Sequence, residues 1–349
     1  MTEAAPEVLA WIDGRVGLLT LNRPKALGAL TLGMCETMIA ALLAWREDSQ
    51  VEAVLMDHAG ERGFCAGGDI RFLADSAREG GADARRFFFT EYRLNHLLFT
   101  YPKPVVAVMD GITMGGGVGI SAPARWRIAT ERTTFAMPET GIGLFPDVGG
   151  GWHLPRLPGE TGTFVALTGA RLKGADCLAL GIANAFVASG DVEACKAAVI
   201  AEPREIAAHA ERFAADPGAA TIEARRSEID RHFAHDRVEG IVHSLKCGKG
   251  WAAEQTAILS AKSPLSLNVT LRQLREGAAM ASFADEMRQE MRIAARMVQS
   301  HDFAEGVRAV IVEKDNAPRW DPADLAAVTP AMLDAVFAPL PPDQEWTPL

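Results

Sequence analysis

Three consecutive glycines, Gly115-Gly116-Gly117, stand a short step beyond the apolar run Val105 to Met109. A β-branched run of that kind makes a buried strand. The interior of a packed strand or helix does not choose three glycines. They suit a turn whose backbone comes close to something else and presents its N–H groups to it. Should a helix open at Gly117, its first N–H groups lack intrahelical acceptors and favour a negative oxygen. The order strand, glycine loop, helix occurs once before: a strand over 51–56, the loop GERGFCAGGD with Gly67-Gly68, and a helix opening at Ile70. Two such turns side by side would offer two convergent donors, the number an oxyanion hole needs. Downstream come Glu139 and Asp147, two acids in an apolar, glycine-rich setting. Backbone donors with carboxylates nearby point to acyl chemistry rather than mere binding.

The rest of the chain supplies the frame. Strands are predicted over 8–12 and 16–21 around an Asp13-Gly14 turn. Thr31 caps a helix to about Glu47, with Leu32, Met38, Ile39, Leu42 and Leu43 inward. A helix over 83–99 puts Phe87, Leu94, Leu97 and Leu98 on its apolar side, and further strands fall at 127–136 and 185–187. Helical pieces are expected at 159–169 and 172–181. Beyond Ser189 the signal is helical only, over 251–261, 265–274 and 283–298, the last opening at Ser282 with Asp285 three residues on. Asp302 and Glu305 read as a capping box for a helix over 303–312. A Pro-rich tail from Pro318 is expected to wrap the surface. The division that follows is a core over 1–200 and a helical C-terminal region over 201–349, with no solenoid repeat.

Composition narrows the function. A net charge of -10 argues against a nucleic-acid surface, which needs clustered Lys and Arg. An anionic ligand must then rely on local cations and backbone N–H groups. The cysteines, Cys35, Cys65, Cys177, Cys195 and Cys247, are odd in number and form no C-x-x-C pair. That indicates neither a disulfide framework nor a zinc site, and suggests reduced thiols in a cytoplasm. MTEAAPEVLA lacks the basic head and apolar core of a signal peptide, and no apolar run reaches the length of a membrane span.

The stretches LNRPKALGAL, GFCAGGDI, GITMGGGVGIS, FAMPETGIGLFPDVGGGWHLPRLPG and LTGARLKGADCLALGIA resemble the crotonase superfamily, in its 3-hydroxyisobutyryl-CoA hydrolase branch. So do SPLSLNVTLRQLREG and HDFAEGVRAVIVEKDNAPRW, which the shorter hydratases lack; the likeness runs from about residue 8 to 337. It implies an α/β fold, a crotonase-like spiral of strand-strand-helix turns with a helical C-terminal region, that takes an acyl-coenzyme A as substrate and no separate cofactor or metal. The thioester oxygen would meet the N–H groups of Gly68 and Gly116. Glu139 matches the family's catalytic glutamate, Asp147 the aspartate of the hydrolase branch, and Glu91 a further acid in the substrate site. Backbone near Lys25, Ala26 and Ala66 would hold the adenine end. The resemblance also makes a homo-oligomer plausible, since trimers are common on this fold. Two positions depart from the family: Gly28 where Asn is common, and Ala185 where His is common.

Taken by position alone, Glu139 is an acid at a helix start after Pro138, and Asp147 a helix cap before Val148. Glu91 alone is an ordinary exposed helix acid, and Cys65 a small buried thiol rather than a nucleophile. Only the resemblance joins the acids in one site. There Glu139 either attacks the carbonyl, making an anhydride, or acts as base on a water, while Asp147 orients Glu139, the water or the substrate hydroxyl. Competing readings on the same fold are an enoyl-CoA hydratase, which carries a second glutamate where Gly119 stands, and a dienoyl-CoA isomerase, which carries an aspartate there. A glycine cannot move a proton, so Gly119 favours the hydrolase. An acyl-CoA-binding protein without turnover is the reading outside enzymes.

Overall fold

The computed structural model describes residues 5–349, so the first four residues of MTEAAPEVLA lie outside it. Among the described residues there are ten strands: β1 (Val8–Asp13), β2 (Val16–Leu21), β3 (Ala53–His58), β4 (Gly63–Cys65), β5 (Val105–Met109), β6 (Ile112–Met114), β7 (Trp126–Ala129), β8 (Thr134–Ala136), β9 (Leu172–Lys173) and β10 (Ala185–Phe186). They form a six-stranded sheet in the order β1-β2-β3-β5-β7-β10 and a four-stranded sheet in the order β4-β6-β8-β9. In the pairs β3/β4, β5/β6 and β7/β8 the chain gives its first strand to the larger sheet and its second to the smaller. That repeated step is the expected spiral. β1 and β2 pair antiparallel across the Asp13-Gly14 turn, with Gly14 at φ 56, and every other pairing in the larger sheet is parallel. Parallel strands are covered on both faces, hence their unbroken apolar runs. All five residues of β5 are buried.

The chain divides into two compact units. The first comprises the chain up to Gly68, then Arg93–Phe135 and Arg171–Glu223, and it carries the sheets. Its core joins Val16, Leu18, Leu55, Val106, Val108 and Ile128 to Val192, Cys195 and Val199 of the helix Val192–Ala201. The second comprises Asp69–Tyr92, Ala136–Ala170 and Ala224–Leu349, and is helical. Here the helix Thr161–Thr168 is buried along its whole length, with Phe164 edge-on to Phe233. No strand follows β10.

Local signals held where a side chain could cap. Thr31 accepts from Met34 N at 3.2 Å to open Leu32–Glu47, and Ser282 accepts from Asp285 N at 3.2 Å to open Phe283–Met297. The first of these helices buries Met34, Cys35, Met38, Leu42 and Trp45, so the expected inward stripe was right at Met38 and Leu42 and displaced elsewhere. The capping box at Asp302 is a correction. The helix opens earlier, at His301–Val307, capped by Ser300, whose hydroxyl accepts from Phe303 N at 3.1 Å. Asp302 is instead buried and accepts from Asp321 N at 2.7 Å and from the Ser263 hydroxyl. The tail from Pro318 is mostly exposed, as expected, and adds two features: the helix Pro330–Phe337, and Trp346, fully buried, its indole N–H donating to the Phe89 carbonyl at 3.2 Å. An indole with a satisfied N–H is a large apolar anchor, which the proline content concealed.

Candidate active site

In the first unit, function would be carried by main chain, and sterics explain the glycines. A Cβ added at Gly117 would lie 2.3 Å from the Cys65 carbonyl oxygen and 2.8 Å from the Cys65 Cβ, so nothing larger fits. This contact seats the helix Gly116–Ser121 on β4. Its N-cap, Gly115, sits at φ 47 and has no side chain to occupy the first N–H groups. Gly67 sits at φ 120, and a Cβ there would lie 3.9 Å from Gly116 N. The two glycine turns are therefore neighbours, with Gly67 against Gly115 and Gly116.

The loop bearing Ala66 is stitched to the turn before it. Ala66 N donates to Leu27 O at 2.9 Å, Leu30 N donates to Gly67 O at 2.8 Å, and Leu30 bridges Gly68 in parallel. Lys25 and Ala26 form the short 3-10 turn Pro24–Ala26 directly before Leu27. Gly28 then sits at φ 68, where an added Cβ would be 2.4 Å from Phe64 O. The packing here leaves no room for a side chain at Gly28.

The second unit supplies side chains. Glu91, on the helix Ala82–Phe99, is 2% exposed, and Glu139, opening the 3-10 turn Glu139–Ile142, is 7% exposed. The helix-acid expectation for Glu91 is thus overturned, because its face of the helix turns inward. Burial first, and the charge of Asp147 second, hold both carboxyls well above the usual carboxylate range. Glu91 Oε1 and Glu139 Oε2 have no hydrogen-bond partner among the described residues. Asp147 is held at about 6, raised by burial and drawn back down by the Tyr92 hydroxyl, which donates to Oδ2 at 2.8 Å.

Asp147 is not a helix cap. The following helix, Gly150–His153, opens after Gly149 with no side-chain cap, and Asp147 contributes only its carbonyl, to Gly150 N at 2.8 Å. Between them Val148 sits at φ 55, a conformation that β-branched residues rarely adopt and that persists only where the surroundings impose it.

Several groups in this unit were missed from sequence. Tyr92 is one of only two tyrosines and adjoins Glu91, a signal that could have been weighed. Lys262 lies with its Nζ 3.2 Å from where a Cβ of Gly141 would stand; burial lowers its pKa and the Glu139 charge opposes that. Nothing in its sequence neighbourhood marks it. Glu286, Glu290 and Gln273 are buried on two helices far along the chain. Among the described residues no group of three or more His, Cys, Asp or Glu could hold a metal, and no helix is long and apolar enough to cross a membrane.

Comparison with known proteins gives these features a family. Residues 16–337 match the enoyl-CoA hydratase/isomerase family. A curated relative from Danio rerio, named 3-hydroxyisobutyryl-CoA hydrolase, mitochondrial, is 45% identical over 97% of this chain and 91% of its own. Among solved structures, one titled a carnitinyl-CoA dehydratase from Mycobacterium thermoresistibile is 45% identical, with a TM-score of 0.93 over 98% of this chain and 99% of that one. Another, titled an enoyl-CoA hydratase from Rhodobacter sphaeroides 2.4.1, is 39% identical, with a TM-score of 0.86 over 98% and 100%. The word mitochondrial in the relative's name overturns the cytoplasmic expectation. Free thiols suit any reducing compartment, so cysteine usage never had the power to choose one. Family match, relatives and the spiral of paired strands agree: the chain belongs to the enoyl-CoA hydratase/isomerase family, the crotonase superfamily its glycine and acid motifs resemble.

Proposed function

We propose that this protein hydrolyses a short 3-hydroxyacyl-CoA thioester, with 3-hydroxyisobutyryl-CoA as its preferred substrate, yielding 3-hydroxyisobutyrate and coenzyme A. The observation that carries this reading is the carboxyl pair Glu139 and Asp147, one held well above the usual range and the other at about 6. A buried acid tuned toward neutrality can both take and return a proton. In the reaction the C–S bond breaks, the sulfur leaves with a proton as the thiol, and the acyl carbon gains an oxygen from water. Glu139 is assigned the central role, as nucleophile forming an anhydride or as base on the water, with Asp147 orienting it. The amides of Gly68 and Gly116 are assigned the thioester oxygen, Glu91 the substrate, and the main chain at Lys25, Ala26 and Ala66 the adenine end. The reaction would serve valine breakdown.

The titles of the two similar structures favour a second reading, addition or removal of water at an acyl-CoA double bond. Gly119 stands against it, because it offers no second proton-carrying group two residues after the triple glycine. A thiol-release assay over 3-hydroxyisobutyryl-CoA, 3-hydroxypropionyl-CoA and crotonyl-CoA tests both. Thiol release from the 3-hydroxy esters is expected; rapid hydration of crotonyl-CoA without thiol release would replace the hydrolase by the hydratase. A single turnover in 18O-water, followed by mass analysis of the peptide bearing Glu139, tests the anhydride route: label in that carboxyl requires an anhydride opened by water at the glutamyl carbon, which the base route cannot produce.

A further inference from the structure

Asp147 sits at the mouth of a turn that does not hold itself. Val148 at φ 55 and Gly149 at φ 91 are consecutive left-handed residues, and the first is β-branched. Such a turn needs outside restraint, and it comes from the helices Pro264–Ala279 and Phe283–Met297. Glu290, fully buried, accepts from Gly149 N at 2.8 Å through Oε2 and from Gly151 N at 3.3 Å through Oε1. Gln273, also fully buried, donates from Nε2 to the Pro146 carbonyl at 3.0 Å, to Glu290 Oε1 at 3.1 Å and to Glu286 Oε1 at 3.3 Å. The main chain is thus gripped immediately before Asp147 and immediately after Val148. Glycines make room for the grip. A Cβ on Gly151 would lie 1.8 Å from Glu286 Oε1, and one on Gly277 would lie 2.1 Å from Gly151 O.

We propose that Glu290, assisted by Gln273, is the positioning residue for Asp147: its carboxyl fixes the turn 147–151 and thereby the direction of the Asp147 side chain. Two buried carboxyls are a costly way to fill space, and an apolar pair of similar volume would pack as well. The placement of Glu290 is explained by what it binds, the two N–H groups that the left-handed turn exposes, while Glu286 accepts from Gln273 Nε2 beside it. Burial and the Glu286 charge hold Glu290 well above the usual range, with Glu286 at about 7, so the pair retains a proton near neutrality and escapes full mutual repulsion. The carboxylate of Asp147 takes a side-chain hydrogen bond from Tyr92, and its backbone direction is set by the clamp.

This inference rests on the proposed role of Asp147, and a mutant cycle on 3-hydroxyisobutyryl-CoA hydrolysis separates the two. Glu290→Gln keeps the volume but turns an N–H donor toward the N–H of Gly149 or Gly151. It is expected to lower kcat by about 100-fold, the cost of a misplaced catalytic group, with KM changed less than about threefold. Made on top of Asp147→Asn, it is expected to lower kcat by less than about twofold further, since groups acting as a unit are not additive. If Asp147→Asn alone leaves kcat unchanged, the role of Asp147 fails. If Asp147→Asn abolishes turnover while Glu290→Gln is silent, or acts equally in both backgrounds, the positioning role fails. Should Glu290→Gln not yield folded protein, Gln273→Met takes its place. It removes the bond to Pro146 O while leaving Glu290, with about a tenfold loss of kcat expected and the same loss of additivity. Equal losses in both backgrounds would again overturn the proposal.

Discussion

The two units of the molecule meet the same demand, polar groups in a dry interior, by opposite means. In the sheet-bearing unit the buried acids Asp57, Asp110 and Asp176 are each paired, and the groups left to act are main-chain amides, where what matters is the absence of side chains at Gly67 and Gly115 to Gly117. In the helical unit they are carboxyls, Glu91, Glu139, Glu286 and Glu290, all buried and all held above their ordinary range. Amides cost nothing extra to place, because every residue has one, but any Cβ destroys the fit. Carboxyls tolerate an isosteric change in shape, yet their charge is unwelcome at every pH where it forms. Substitutions at these glycines should therefore damage the fold, and isosteric ones at Glu91 and Glu139, each with an unpartnered oxygen among the described residues, should damage chemistry while sparing or helping the fold.

The largest expected effect is on chemistry. Glu139→Gln should lower kcat by about 10²–10⁴, the usual range for a proton-transferring group, with binding of a non-hydrolysable CoA ester retained. Steady-state thiol release and calorimetric titration check it, and unchanged turnover would remove Glu139 from the centre of the reaction. Next comes Gly117→Ala, on the other side of the comparison. With the new methyl 2.3 Å from a carbonyl oxygen, overpacking of about 1–3 kcal/mol or more should lower Tm by roughly 2–10 °C. A wild-type Tm would mean that β4 and the helix Gly116–Ser121 move apart easily.

The same contrast decides what could be read from sequence. Gly67-Gly68 and Gly115 to Gly117 announced themselves because glycine is the residue whose presence reports on backbone, and the neighbouring apolar runs set the strand order. Thr31 and Ser282 were legible because a cap acts within one turn of helix. Asp302 misled because its acceptor role is filled by Asp321, far along the chain, while Ser300 was the nearer competitor. Glu290 and Gln273 were invisible, since an acid and an amide on amphipathic helices read as solvated unless the partner, here the loop at 146–151, is known. Glu91 was misread for the same reason, and only the likeness to relatives lifted it.

A smaller effect follows from Tyr92. Its hydroxyl stabilises the charged form of Asp147 and so lowers a pKa that burial has raised. Tyr92→Phe removes that donor. The pKa should rise above about 6, and the acid limb of the kcat profile, where turnover falls as Asp147 is protonated, should move to higher pH. Activity at pH 8 should drop less than about tenfold, the loss of one hydrogen bond to a charge. A limb that stays in place, or moves to lower pH, would detach Asp147 from the rate.

The smallest effect is on stability, and it has the opposite sign to that of Gly117→Ala. Glu91 has a folded-state pKa raised by burial and by Asp147 above its unfolded value of about 4.3. The native state then binds more protons than the unfolded one across that window, so stability is fully present below about pH 4 and is lost as pH rises toward the folded pKa. Glu91→Gln carries no proton to lose. The variant should match the wild type in Tm at pH 4 and exceed it at pH 8, where the wild-type carboxyl is driven toward its unwelcome charge. Turnover should meanwhile fall if Glu91 touches the substrate, so stability and activity part company at one atom. A Tm lowered at pH 8 would mean that the ionised carboxyl finds a stabilising partner, and that the helical unit holds its acids by attraction after all.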